Sequence, residues 1–149
     1  MTSVAWELAH SVETDASPAF AWSYWTHVEN WTDPPAKFEL EGPFVAGARG
    51  TTRIPAQEPL HWFVREVIPP NTATIQMDLE QATLSFEWRF DGLADGRTLL
   101  TRRIVLAGAN ANTYLSQVKT AFTANLADGM NRLAWAMANA DPIRKRKSD

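Results

Sequence analysis

The chain has 149 residues, 45% hydrophobic and 21% charged, with a formal net charge of -3 and a pI near 5.6; this suits one globular domain with a sizeable core and leaves no basic footprint for nucleic acid. There is no cysteine, which excludes disulfides and thiolate chemistry. His10, His27 and His61 are too dispersed for a local zinc pair, no run approaches membrane-spanning length, and the N-terminus lacks a signal-peptide pattern, so the expectations are no metal, no membrane insertion and a cytoplasmic location.

Seven Trp and seven Phe in so short a chain stand out. Large rigid aromatics either fill a core or line a cavity for something apolar.

Trp6, Leu8, His10 and Val12 alternate with Glu7, Ala9, Ser11 and Glu13, the period of a half-buried strand. Ser17-Pro18 then supplies a helix N-cap and first position. Phe20, Trp22, Tyr24 and Trp25 make a short aromatic helix, and a second short helix or turn around His27 to Trp31 ends before Pro34-Pro35. These two should form a corner closing one end of a sheet.

Short strands are predicted at Phe38 to Leu40 and Thr51 to Ile54, separated by a loop with Gly42, Gly47 and Gly50. A longer strand runs from Leu60 to Ile68 and is closed by Pro69-Pro70-Asn71. Ile75, Met77 and Leu79 alternate with polar residues, as do Leu84, Phe86, Trp88 and Phe90, so each strand has one wet and one buried face. Arg97 to Leu106 is the last strand, with Leu100, Ile104 and Leu106 on one face. Strands at this spacing favour an antiparallel meander.

Leu115, Val118, Phe122, Leu126, Gly129, Leu133 and Met137 recur at steps of three and four. They predict one helix over Asn112 to Met137, about 40 Å long, that needs a broad apolar surface to lie against. Gly129 costs roughly 1 kcal/mol against Ala in a helix interior. Either it packs closely on a bulky neighbour or it leaves room for a ligand. Residues 1–141 read as one domain and 142–149 as a solvated tail carrying Arg144, Lys145, Arg146 and Lys147.

On several stretches the chain resembles the START-like (helix-grip, Bet v 1-like, SRPBCC) superfamily, in its bacterial polyketide cyclase/dehydrase and lipid-transport type. They are Ser11 to Pro18 with Trp22, His27-Val28-Glu29-Asn30-Trp31, Gly42-Pro43-Phe44 to Gly47, Trp62 to Pro69, Leu84 to Trp88, and Thr101-Arg102-Arg103-Ile104 with Gly108. The resemblance spans Trp6 to Met137. It implies an α+β helix-grip fold: a seven-stranded antiparallel sheet wrapped round a long C-terminal helix, two short helices after the first strand, and a cavity between sheet and helix for an apolar or aromatic molecule. Such domains are monomers or homodimers, and the chemistry implied needs no cofactor. Relatives of this type often carry His at the positions of Trp88 and Arg102, so any acid-base role of those histidines is absent here, replaced by an aromatic wall and a permanent cation.

Arg102 lies between Leu100 and Ile104 on an apolar strand face, where a charge needs an answer. A salt bridge within the protein or escape to the rim is one answer. A ligand carboxylate, enolate or phenolate is the other. Glu66 shares a face with Trp62 and Val64 if its strand is regular, which would make it a partner for Arg102 or an acid-base group; one bulge would turn it outward. The expected ligand-binding set is Trp62, Val64, Met77, Phe86, Trp88, Tyr114, Val118, Phe122, Leu126 and Gly129, although the aromatics among them serve equally as core. His10 and His61 read as structural histidines, and His27 as a surface cap.

The function expected first is binding or carriage of a hydrophobic, ring-containing or lipid-like molecule. The second is a polyketide cyclase or dehydratase with Arg102 and Glu66 as catalytic groups. The third is protein docking of co-chaperone type, with a filled interior and an exposed apolar patch.

Overall fold

The computed structural model describes residues 4–31 and 35–142. Pro34 and the basic run from Arg144 to Lys147 lie outside the described residues. Strand β1 (Val4–Thr14) leads into α1 (Pro18–Trp25) and a 3-10 turn (Val28–Asn30). Six strands follow: β2 (Lys37–Leu40), β3 (Arg49–Arg53), β4 (Leu60–Ile68), β5 (Thr72–Leu79), β6 (Ala82–Gly92) and β7 (Thr98–Ala107). Helices α2 (Ala111–Thr123) and α3 (Leu126–Ala140) end the described fold. The strands form one antiparallel sheet in the order β1-β7-β6-β5-β4-β3-β2. The α+β helix-grip architecture expected from the sequence is therefore the one observed.

Alternation sets which side chains face the helices. Leu84, Phe86, Trp88 and Phe90 of β6 register against Leu106, Ile104, Arg102 and Leu100 of β7, and all but Arg102 are buried. Fully burying such an aliphatic or aromatic side chain contributes about 1.5–3 kcal/mol, so these two central strands hold the core. On the outer face Arg103 pairs with Glu7 and Glu87 across three strands. The Glu7 hydrogen bond, opposed by desolvation and supported by Glu87, holds the Arg103 pKa above its ordinary value.

The α1 corner forms as its caps dictate. Pro18 takes the first helical position, and Ser17 Oγ accepts from the Phe20 amide at 3.3 Å. Buried Asp141, the C-cap of α3, accepts from the Ser17 amide at 3.2 Å. Thr14 donates to the Ala134 carbonyl at 2.7 Å. These bonds tie α3 to β1 and to the start of α1. Asp141→Ala should therefore lower stability by about 1–3 kcal/mol, because a half-buried donor loses its charged acceptor. Chemical denaturation would read the loss, and an unchanged midpoint would contradict this role for the carboxylate.

The C-terminal helical run differs in detail from the uninterrupted helix expected. It is broken between Thr123 and Leu126, where Ala124 caps α2 and Asn125 precedes α3. Past the break the inward residues are Leu126, Met130, Ala134, Met137 and Ala138. Gly129 is only half-buried, and a Cβ there would meet nothing closer than Arg132 Nη2 at 3.8 Å. Close packing on a bulky neighbour is therefore not its reason, and Met130 takes the inward place. Helix α3 packs mainly on β1, whereas α2 touches β1 and β7.

Candidate functional site

The polar residue on the inner face of β7 organises the site. Arg102 registers between His10 of β1 and Trp88 of β6, and directly opposed residues of neighbouring strands present their side chains on one face. The Arg102 guanidinium carbon lies 5.1 Å from the Phe86 ring centre, 5.2 Å from Trp88 and 5.8 Å from Phe122. Two of these rings come from the sheet and one from α2. A cation over ring faces gains about 0.5–2 kcal/mol per favourable contact. A guanidinium carries its N–H donors in its own plane, in a geometry that a carboxylate or phenolate matches.

The hollow expected between sheet and helix is bridged at this point. Phe122 meets Phe86 edge to face at 5.5 Å, and the half-buried Arg102 side chain sits against both rings. Phe86, Trp88, Phe122 and Arg102 are thus brought together as the sequence suggested, with His10 beside them.

Other expected members lie elsewhere. Glu66 is exposed, because the β4–β5 register shifts between Val64 and Glu66. The bulge puts Glu66 opposite Thr74 and gives the inward place to Val67, opposite Ala73. Glu66 therefore faces away from Arg102, and neither the ion pair nor the acid-base role expected of it follows from the structure. Tyr114 is held at the β5–β6 turn, its hydroxyl accepting from the Glu80 amide at 3.2 Å. Met77 faces inward opposite Leu84 and is half-buried. Val118 and Leu126 are buried in the core, as is Val64.

Trp62 belongs to a second aromatic assembly. Its indole lies on Gly50, donates to Thr52 Oγ1 at 3.0 Å and stacks on Trp31 at 5.4 Å. Trp31 stacks in turn on Trp25 at 5.7 Å and donates to the Trp25 carbonyl. Trp25, 2% exposed, also contacts Trp22, Phe44, Trp88 and Phe90. The sequence reading did not single out Trp25, Trp31 and Phe44 as one cluster, although the density of aromatics at the α1 corner pointed that way. Through Trp88 this cluster backs directly onto the Arg102 site.

Among the described residues, concavities lie at two places away from Arg102. One, of about 380 Å³, lies at the α1 corner; the other, of about 480 Å³, lies beside Arg49, His61 and Phe63. Among the described residues no group of three His, Asp or Glu converges in a way that could hold a metal. Nor is any helix among them long and apolar enough to cross a membrane.

The fold is found in solved structures. A norcoclaurine synthase point mutant from Thalictrum flavum, in complex with a transition-state analogue, superposes with a TM-score of 0.67 at 14% identity, covering 91% of this chain and 97% of that one. The fold is the helix-grip fold of norcoclaurine synthase. Protein NE0264 from Nitrosomonas europaea gives a TM-score of 0.69 at 11% identity, over 90% of this chain and 95% of that one. DynU16, a putative protein of the dynemicin biosynthetic locus, gives 0.66 at 17% identity, over 91% of this chain and 48% of that one. No protein-family model and no curated protein sequence matches the chain. At these identities the likeness is one of fold.

Proposed function

We propose that the chain binds a hydrophobic, ring-containing small molecule bearing an anionic group, seated between the inner face of β6 and β7 and helix α2. The observation that carries this reading is the placement of Arg102: a permanent cation held among Phe86, Trp88 and Phe122 on the inward face of the sheet. Aromatic walls suit a flat ring better than a straight acyl chain. A guanidinium beside them suits a carboxylate, phenolate or enolate. Phe122 must turn from Phe86 to admit the ring, and it stands next to the helix break. Norcoclaurine synthase of the same fold has been solved with dopamine and hydroxybenzaldehyde, themselves ring compounds.

A second reading, an enzyme of polyketide cyclase or dehydratase type, is favoured by one feature: His10 is the cross-strand neighbour of Arg102. There a cation would stabilise an enolate while an imidazole moves the proton. DynU16, with its place in a biosynthetic locus, agrees with this. The protein-docking reading gains less, because the exposed large apolar residues Val4, Val45, Leu60, Ile68 and Trp135 are spread over several elements.

Titration of 2-naphthoate and the neutral 2-naphthylmethanol, followed by calorimetry and native mass spectrometry, tests the binding reading. Arg102→Met should weaken the naphthoate by about tenfold or more and leave the alcohol unchanged. Equal affinities of both probes for wild type and variant would refute the anionic anchor. If turnover of a polyketide-like substrate exists, His10→Phe should abolish it while sparing affinity.

A further inference from the structure

The concavity of about 380 Å³ at the α1 corner has apolar walls formed in part by Trp22, Phe44 and Val67, and polar side chains supplied by Thr26, His27 and Glu29. Thr26 and His27 share a property set by one backbone atom. The Ser23 carbonyl oxygen accepts from Thr26 Oγ1 at 3.2 Å and from His27 Nδ1 at 2.6 Å. A carbonyl can only accept, so both side-chain hydrogens are committed to it. Neutral His27 is thereby fixed as its Nδ1–H tautomer, with Nε2 as the ring's acceptor. Thr26 Oγ1 is left with its lone pairs, and the exposed Glu29 adds a carboxylate. The lining residues include no Lys and no Arg. Three acceptors and aromatic walls thus occur together without a cation.

This place is distinct from the Arg102 site. Phe44 contacts Trp25 at 5.1 Å, Trp25 contacts Trp88 at 5.2 Å, and only Trp88 reaches Arg102. A double layer of indoles stands between the two. Their electrostatics are opposite as well, an acidic acceptor set at the corner against a guanidinium inside.

We propose that the corner concavity binds a primary ammonium carried on an aromatic ring. The three N–H donors of such a cation answer Thr26 Oγ1, His27 Nε2 and the Glu29 carboxylate, while its ring lies against Trp22 and Phe44. Both the charge of Glu29 and the faces of the aromatic walls favour a cation over a neutral or anionic molecule of the same shape.

Calorimetry with 3-phenylpropan-1-amine, 3-phenylpropan-1-ol and 3-phenylpropanoate near neutral pH tests this directly. The amine should bind saturably, the alcohol about tenfold more weakly, and the carboxylate not measurably up to about 10 mM. Glu29→Gln, a change on an exposed side chain, should weaken the amine about tenfold, and Arg102→Met should leave its affinity unchanged. The proposal is overturned if the amine shows no saturation up to about 10 mM, if the three probes bind alike, or if Glu29→Gln has no effect. An affinity that falls with Arg102→Met and not with Glu29→Gln also overturns it, by assigning the amine to the sheet–helix site.

Discussion

Replacing Trp25 with alanine is expected to lower folding stability by about 3–5 kcal/mol, the cost of emptying a large aromatic site in a packed interior. Trp25 is 2% exposed and has ring centres at 5.9 Å (Trp22), 5.7 Å (Trp31), 5.1 Å (Phe44), 5.2 Å (Trp88) and 5.4 Å (Phe90). No single element can close over the gap, because those neighbours come from α1, the segment after the 3-10 turn, the β2–β3 loop and β6. For a chain of this size each kcal/mol moves the thermal midpoint by about 2–4 °C. Differential scanning calorimetry should therefore show a fall of about 6–20 °C. A loss below about 1 kcal/mol would mean that the corner collapses onto the gap and that the cluster is softer than its contacts suggest.

Gly50→Ala should cost about 2–3 kcal/mol, through overpacking and not through a cavity. A Cβ on Gly50 would come within 2.2 to 2.4 Å of three atoms of the Trp62 six-membered ring. The ring cannot slide away without giving up its hydrogen bond to Thr52 and its stack on Trp31. A double-mutant cycle separates this from any general intolerance of the strand. In a Trp62→Ala background, Gly50→Ala should be nearly harmless, giving a coupling of at least about 1 kcal/mol. If the cost is the same in both backgrounds, the indole is not what requires glycine at position 50.

Much of this is legible in the sequence. The alternation of Leu84, Phe86, Trp88 and Phe90, and the Ser17-Pro18 start of α1, are local patterns, and local patterns survive in the fold. The inward direction of Arg102 followed from the same parity. Two features were not read correctly, for different physical reasons. The helix break at Ala124 and Asn125 carries neither proline nor glycine, and both residues are compatible with helix, so the spacing from Phe122 to Leu126 ran straight through it. A small change of phase there puts Met130 inward in place of Gly129, and Ala134 in place of Leu133. The bulge in β4 did leave a signal. Trp62 and Val64 share one parity, and Val67 is apolar at the other, as expected where a strand gains a residue. Reading that slip would have sent Glu66 outward. The ring cluster around Trp25 depends on which aromatics from distant loops converge, and no periodicity within one element reports that.

The chain of rings has an optical consequence. Five of the seven tryptophans, Trp22, Trp25, Trp31, Trp62 and Trp88, are linked by successive ring contacts of 5.2 to 5.9 Å. At such separations their transition dipoles couple, so ultraviolet excitation of one indole is shared among its neighbours, and near-ultraviolet circular dichroism reports their mutual orientation. Trp135, 70% exposed on α3, stands apart as a solvent-facing emitter. Trp6 apart, the tryptophans are thus of two kinds: a coupled array that reports the geometry of the corner as a unit, and Trp135, which reports the water beside α3.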